Sequence, residues 1–163
     1  MENIIKSLPS ELYTREYYLE NCGGAVDFST DAFTLRIAKC LEYVNAQKDD
    51  KILDIGCGRG EASVYMAIDG AEVVGVDYSE DSITISEETK KRFSDKIKGS
   101  VSFERGNAKS LQFSDNSFDK IIMLDVVEHL YEEELKIALK ECFRVLKPDK
   151  FCAILIGDTR RNI

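Results

Sequence analysis

The stretch Leu53-Asp54-Ile55-Gly56-Cys57-Gly58-Arg59-Gly60-Glu61 decides how this chain is expected to fold. It begins inside a short apolar strand, Lys51-Ile-Leu-Asp-Ile-Gly56, and leads into a helical pattern over 61–68. Three glycines at alternate positions allow a tight turn and let a ligand approach the backbone with no Cβ in the way. This stretch therefore predicts a ligand-binding loop between a strand and a helix.

Strands and helices alternate on both sides of this loop. Apolar residues at helical spacing follow Asp31, a candidate N-cap, and Ser79 is the predicted N-cap of a polar helix that ends near Phe93. The pattern also predicts strands at 71–76, 101–104, 118–126 and 151–156, and a helix over 132–146 that Lys147-Pro148 stops. Apolar strands separated by helices predict an α/β fold, a doubly wound, mainly parallel, Rossmann-like sheet of about five strands with helices on both faces.

Composition narrows the class of protein and its partners. Of the 163 residues 44% are apolar and 32% charged, which is typical of a soluble globular domain. A net charge of −8 repels phosphate backbones, so we expect no nucleic acid partner. No apolar run approaches the ~20 residues of a membrane span, and the N-terminus lacks a signal-peptide pattern, so no membrane partner and a cytoplasmic location are expected. We expect residues 1–30 to form a cap segment and 31–163 to form the ligand-binding domain.

Polar residues end three of the predicted strands, and their types suggest a ligand. Asp54, in front of the glycines, would repel a phosphate but could hold a ligand ammonium group directly or through water. The spacing from Gly56 puts Glu61 where a dinucleotide fingerprint needs glycine. Asp77 lies 21 residues beyond Gly56 and could accept from a ribose diol, although an N-cap role is equally open. Asn107 follows the third strand and could bond a purine edge or simply make a turn.

Taken together, these segments resemble the class I S-adenosylmethionine-dependent methyltransferases over roughly residues 51–156. The loop 54–60 is similar to the family's first motif, 76–79 to its second, and 106–108 to its adenine-contacting segment. Three later segments are similar to those that flank the family's fourth and fifth strands, namely 113–119, 125–130 and 144–148.

The resemblance implies a function and a set of site residues. The function is transfer of a methyl group from S-adenosylmethionine, leaving S-adenosylhomocysteine, to a small-molecule O, N or C acceptor by in-line displacement. On the resemblance, Asp54 lies near the ammonium, Asp77 binds the ribose and Tyr78 flanks the adenine. The implied cofactor-binding residues are Asp54, Gly56, Cys57, Gly58, Gly60, Asp77, Tyr78, Asn107, Ala108, Leu124 and Asp125.

Glu128 and His129 are the candidate catalytic residues. His129 is the only histidine, and its unperturbed pKa near ~6.5 suits a general base for a hydroxyl or amine acceptor. The pair is also similar to Glu-His in quinone-biosynthesis O-methyltransferases and in small-RNA 2′-O-methyltransferases, where it ligates a metal. Without a second histidine we expect no metal site. A purely structural role, as a helix cap or under the loop, remains open.

The length of the chain leaves alternatives open. The family's sheet normally has seven strands, so a chain with about five is either truncated or unusually short, and its last strand would offer an edge through which a homodimer could form. A non-catalytic S-adenosylmethionine-binding module, a fragment of a larger methyltransferase and an NAD-dependent oxidoreductase are the alternative functions. The N-terminal segment 13–24 is similar to a leader helix that folds over the cofactor in some bacterial members, or it packs on the sheet as a simple cap.

Overall fold

The computed structural model describes residues 8–20 and 35–156. Two short 3₁₀ helices cover Ser10–Leu12 and Val127–His129. In the described residues the α-helices are α1 (Arg15–Glu20), α2 (Leu35–Val44), α3 (Glu61–Ile68), α4 (Glu80–Arg92) and α5 (Glu132–Val145). The strands are β1 (Lys51–Ile55), β2 (Glu72–Asp77), β3 (Ser100–Arg105), β4 (Phe118–Leu124) and β5 (Leu146–Leu155).

The five strands form one sheet in the order β3-β2-β1-β4-β5, and every neighbouring pair is parallel. Strand order runs one way from β1 to β3 and the other way from β4 to β5, so the topological switch point lies between β1 and β4. In open α/β sheets, ligands bind beyond the carboxyl ends of the strands at this point. The predicted fold class is confirmed.

Apolar side chains fill both faces of the sheet. On one face Val44, Met66 and Phe93 pack in a cluster with inward-facing residues of β1, β2 and β4. On the other face Cys142 and Val145 of α5 pack against a second set of strand residues. Each fully buried aliphatic or aromatic side chain contributes about 1.5–3 kcal/mol relative to exposure, so this core holds the strand ends in fixed positions.

Two strands depart from their predicted bounds by more than one residue. Strand β4 stops at Leu124 rather than at residue 126, because Asp125 adopts a left-handed backbone with φ +56°. Strand β5 starts at Leu146 rather than at residue 151, since Leu146 pairs directly with Phe118 and a register irregularity follows. Pro148 is tolerated because it lies in an edge strand.

The structure tests only some of the remaining predictions about caps, domain bounds and partners. Ser79 is the N-cap of α4, as predicted, and its side chain accepts from the Ser82 N–H. Asp31 and the last residues of the segment 13–24 lie outside the described residues. The division at residue 30 and the homodimer through the edge of the sheet stay predictions. In the described part of the chain, no helix combines the length and apolar character needed to cross a membrane.

Candidate functional site

A cavity of about 470 Å³ opens at the carboxyl ends of β1, β2 and β4, where the switch point predicts a ligand. Its volume lies within the ~300–1,000 Å³ range of small-molecule sites. With the exception of Gly60, every residue predicted for the site lines this cavity. Those residues are Asp54, Gly56, Cys57, Gly58, Asp77, Tyr78, Asn107, Ala108, Leu124, Asp125, Glu128 and His129.

The glycines of the loop after β1 have different tasks. Gly58 has φ +53°, and a Cβ built on it would meet first the Tyr18 ring, at 3.7 Å, so its open side faces the cavity. Gly60 has φ +77°, and a Cβ there would lie 2.7 Å from both Phe103 Cζ and Ser86 Cβ. Gly60 thus lets the loop pack against β3 and α4. Gly60 does not line the cavity, and its implied role in binding the cofactor stays a prediction.

Asp77, the predicted ribose ligand, already accepts three hydrogen bonds. Its Oδ1 accepts from the Tyr18 hydroxyl at 3.1 Å and from the Ser79 N–H at 2.9 Å. Its Oδ2 accepts from the Gly58 N–H at 3.0 Å. The carboxylate therefore ties the glycine loop to the start of α4 and holds the buried Tyr18, which comes from α1, across the mouth of the cavity.

Asp54 is 2% exposed and still lines the cavity. The Ser63 hydroxyl donates to its Oδ2 at 2.5 Å, which favours the charged form. Burial outweighs this bond, and with a smaller contribution from Asp77 it raises the pKa of Asp54 to about 7. A cation placed beside this carboxyl would lower its pKa again, which makes Asp54 a suitable acceptor for a ligand ammonium group.

Helix α1 is fastened over the cavity by polar contacts with α4. Arg15 donates two side-chain hydrogen bonds to Glu88, at 3.0 and 2.8 Å, and its backbone N–H donates to Asp81. The Ser79 hydroxyl donates to the Tyr13 carbonyl at 2.6 Å. The contacts of Arg15 with Asp81 and Glu88 are exposed, so they resist opening only weakly.

Four rings form a continuous row above the cavity. Tyr17 lies edge-to-face with Tyr13 at 5.3 Å and with Tyr18 at 5.5 Å between centroids. Tyr13 in turn lies edge-to-face with His129 at 5.7 Å. All four rings line the cavity, which gives it an aromatic roof from the end of β4 to the end of β2. Edge-to-face packing of this kind favours one arrangement of the rings over others.

A polar loop after β3 closes another side of the cavity. The Asn107 side-chain oxygen accepts from the Lys109 N–H at 2.9 Å, so the amide group of Asn107 presents its NH₂ donor away from this turn. Lys109 pairs with the buried Glu134 at 2.5 Å, and Glu134 also accepts from the Tyr131 N–H. This pair fixes the loop against the start of α5.

Glu128 and His129 lie together in the 3₁₀ helix that follows β4, and both line the cavity. The backbone N–H of His129 donates to the Val126 carbonyl at 3.0 Å. No group of three or more His, Cys, Asp or Glu side chains suited to a metal ion occurs in the part of the chain that the structure describes. The catalytic assignment of these two residues stays a prediction.

Sequence reasoning missed an ion pair at the β4 end of the cavity. Arg36 of α2 places Nη1 2.6 Å from Asp125 Oδ2, and both residues line the cavity. Arg36 Nε and Asp125 Oδ1 are buried, and neither has a hydrogen-bond partner among the described residues. Leaving such an atom unsatisfied costs about 1–3 kcal/mol. No local sequence signal marks Arg36, which lies on an ordinary amphipathic helix.

Comparison with known proteins agrees with this geometry. The family model described as "Methyltransferase domain" matches residues 53–154, more than half of the chain. The chain belongs to this methyltransferase domain family. An O-methyltransferase of Aspergillus sclerotiorum is 33% identical over 131 residues, which are 79% of this chain and 47% of that protein.

Solved structures show the same fold. A protein from Pyrococcus horikoshii superimposes with a TM-score of 0.66 at 36% identity, covering 76% of this chain and 55% of its own. A SAM-dependent methyltransferase from Methanosarcina mazei gives 0.64 at 36% identity, covering 69% and 55%. The predicted family and fold class are confirmed. The chain spans about half the length of these relatives.

Proposed function

We propose that this domain transfers a methyl group from S-adenosylmethionine to a small-molecule acceptor by in-line displacement. The observation that carries the proposal is the meeting of Asp54, Gly58 and Asp77 in one cavity at the switch point of the sheet. Membership of the methyltransferase family supports it. S-adenosylmethionine as the cofactor, predicted from the sequence, is confirmed at the level of the family.

The residues present fit this cofactor. The two carboxylate oxygens of Asp77 can accept hydrogen bonds from the two hydroxyl groups of a ribose. Gly58 has no side chain where the ligand would pass. Asp54 offers a carboxyl whose ionisation a ligand ammonium group would favour. When bound, the cofactor supplies a methyl group on a positively charged sulfur.

Asn107 and Tyr78 would hold the adenine. Because the Asn107 oxygen is engaged by the Lys109 N–H, its NH₂ group is the part available to a base. An NH₂ donor pairs with the N1 acceptor of adenine rather than with its N6 amine, which is itself a donor. Tyr78 is 38% exposed and lines the same side of the cavity, where its ring can lie against the base.

Glu128 and His129 would act on the acceptor. They lie at the end of the cavity beyond Asp125, next to the aromatic roof. A carboxylate and an imidazole in this place can take the proton of an acceptor that is protonated at neutral pH. The roof would limit the access of water to the reacting atoms, and their alignment at about 3–3.5 Å would supply most of the rate enhancement.

The test is binding followed by turnover. Calorimetry should show that S-adenosylhomocysteine binds and that NAD does not, which separates a methyltransferase from an oxidoreductase. A panel of small alcohols, amines and carbon acids with isotopically labelled S-adenosylmethionine should then yield a methylated product. Binding without turnover across the panel would favour the alternative, a non-catalytic S-adenosylmethionine-binding module or a fragment of a larger enzyme.

A Gly58→Val variant provides the matched control for this test. Its side chain would enter the cavity, so the variant should lose binding of S-adenosylhomocysteine. Retained wild-type affinity would contradict the site.

The same proposal includes a small-molecule acceptor, which the size of the cavity supports. It also includes the absence of a nucleic acid partner, which the net charge of −8 supports. A cytoplasmic location is the last part of the proposal.

A further inference from the structure

A second, smaller cavity lies between α5 and the edge strand β5. Its volume is about 200 Å³. Two cysteines line it, Cys142 of α5 and Cys152 of β5, and none of its lining residues lines the ligand cavity. The two cysteines therefore have no part in the site described above, and their chemistry is separate from that of the ligand cavity.

The two cysteines differ in how far solvent reaches them. Cys142 is 2% exposed and belongs to the apolar cluster beneath α5, whereas Cys152 is only partly buried and packs against that cluster. Cys142 Sγ also lies 3.9 Å from Sδ of the fully buried Met123. A reagent that enters the cavity from solvent thus meets the Cys152 thiol before it meets the Cys142 thiol.

The two thiols also differ in acidity, because they form a hydrogen bond with one another. This bond lowers the pKa of Cys152, against the opposing effect of burial. The same bond, together with burial, raises the pKa of Cys142. The thiolate is the reactive form of cysteine, so the more exposed member of the pair is also the more nucleophilic one.

The other described cysteines lack this combination. Cys40 is fully buried in the cluster on the opposite face of the sheet, and burial raises the pKa of its thiol to about 12. Cys57 lines the ligand cavity, and burial raises its pKa as well. Among the cysteines that the structure describes, Cys152 therefore has both an open approach and a neighbouring thiol.

The walls of the smaller cavity suit a small uncharged reagent. Apart from the two cysteines and Lys150, every lining side chain is apolar. Lys150 is already paired with Asp119 at 3.5 Å. Phe143 and Ile154 are 76% and 39% exposed, so they form an open rim. A charged reagent would lose hydration between such walls, whereas a neutral peroxide would lose little.

We propose that Cys152 is a site of oxidation by hydroperoxides and that Cys142 is its resolving thiol, so that the product is a reversible disulfide between α5 and β5. An exposed reactive thiol beside a second, resolving cysteine is the arrangement that this chemistry requires. The inference does not depend on the proposed methyl transfer.

Two steps account for the atoms and electrons. The Cys152 thiolate attacks one peroxide oxygen, so an S–O bond forms as the O–O bond breaks, and the second oxygen leaves as hydroxide and takes a proton from solvent. The Cys142 sulfur then attacks the Cys152 sulfur, so the S–S bond forms as the S–O bond breaks, and the hydroxide leaves as water with the Cys142 proton. One peroxide is reduced by two electrons and two thiols are oxidised.

Peptide mapping after oxidation tests the proposal. The background protein is Cys22→Ser, because Cys22 lies outside the described residues. After treatment with limiting hydrogen peroxide, mass spectrometry should show the loss of two hydrogens and a Cys142–Cys152 disulfide that dithiothreitol reverses. Trypsin cleaves after Arg144 and Lys150, so the two cysteines fall on separate peptides.

Three variants in this background assign the roles. Cys142→Ser lacks the resolving thiol, so dimedone should trap the sulfenic acid of Cys152 at least about tenfold more than in the background protein. Cys152→Ser should yield no disulfide at Cys142. Cys40→Ala, which alters a buried cysteine outside the smaller cavity, is the control and should leave the disulfide yield unchanged.

Alkylation keeps the test informative if a variant folds poorly, because it uses the background protein alone. Iodoacetamide at neutral pH should modify Cys152 at least about tenfold faster than Cys142. Equal rates for the two thiols, oxidation of Cys152 no faster than that of Cys40, or oxidised Cys152 that never links to Cys142 would each overturn the inference. Binding of S-adenosylhomocysteine tests the proposed function separately.

Discussion

The two ends of the ligand cavity differ in how completely the protein pairs its own carboxylates. At the β1–β2 end, Asp77 accepts three hydrogen bonds and Asp54 accepts one from Ser63. At the β4 end, Asp125 shares one oxygen with Arg36 and leaves the other buried without a partner in the described chain. Within the described residues the first end has its carboxylates paired, whereas the second keeps a buried carboxylate oxygen unpaired.

This difference separates residues whose side chains also stabilise the fold from residues whose polar atoms the fold leaves unpaired. Groups that the protein has already satisfied cost stability when they are altered, because a buried partner is left unpaired. Polar groups without a hydrogen-bond partner in the protein contribute little to the free energy of unfolding. Substituting them should instead lower the affinity for the ligand. Stability should therefore fall more on substitution at the β1–β2 end than on substitution at the β4 end.

Among the substitutions, the largest expected loss of stability at a single pH is at Gly60. A Gly60→Ala substitution should lower the free energy of unfolding by about 2–4 kcal/mol, because alanine disfavours the positive φ and its methyl group overlaps Phe103 and Ser86. Denaturation in urea measures the loss. The control is Gly106→Ala, where the added Cβ would lie 3.3 Å from Val76 Cβ, and it should cost less than about 1 kcal/mol. Equal losses would contradict the packing role of Gly60.

A matched pair of aspartate substitutions tests the comparison itself. Asp77→Asn should lower the free energy of unfolding by about 1–3 kcal/mol, because an NH₂ group would then face backbone N–H donors. Asp125→Asn should change it by less than about 1 kcal/mol, since asparagine tolerates the left-handed backbone and the removed oxygen has no described partner. Equal costs from urea denaturation would remove the distinction between the two ends.

The pH dependence of stability should reveal Asp54. Its pKa is about 7 in the folded protein against an ordinary value of 3.8, so between these values only the folded state holds the proton. The free energy of unfolding should therefore fall as pH rises through this window, by up to about 1.4 kcal/mol per unit from this group. Asp54→Asn should lack that contribution. Identical pH profiles for the variant and the wild type would show that Asp54 titrates normally.

The smallest expected effect is at Tyr18. Tyr18→Phe removes the hydroxyl that donates to Asp77 and should cost about 0.5–1.5 kcal/mol of stability without ligand. The affinity for S-adenosylhomocysteine should stay the same or rise by up to about threefold, because a ribose hydroxyl can take the vacated place. Thermal unfolding and calorimetry measure the two changes. A loss of affinity beyond tenfold would mean that the Tyr18 hydroxyl holds the ligand itself.

The sequence predicts the β1–β2 end well for a physical reason. The carboxyl ends of parallel strands converge on one edge of the sheet, so recognising β1 and β2 is enough to bring Asp54, Gly58 and Asp77 together. The same reasoning places Asn107 after β3. Hydrophobic periodicity also predicts most helices, because it reports directly which face of each one is buried.

Contacts between distant elements could not be predicted in this way. Tyr18 reaches Asp77 only because α1 docks across α4, and Arg36 reaches Asp125 only because α2 packs beside the end of β4. No local pattern encodes these approaches. The early end of β4 was missed for a related reason, since the apolar run continues into Val126 while the backbone has already turned at Asp125.

A crystal structure with S-adenosylhomocysteine is the most direct test of where the ligand binds. It should show the ribose hydroxyls on Asp77, the thioether above Gly58 and Tyr18 displaced from Oδ1 or sharing it. A ligand bound elsewhere, or a cavity that remains closed by Tyr18 at saturating ligand, would contradict the assignment of this cavity as the cofactor site.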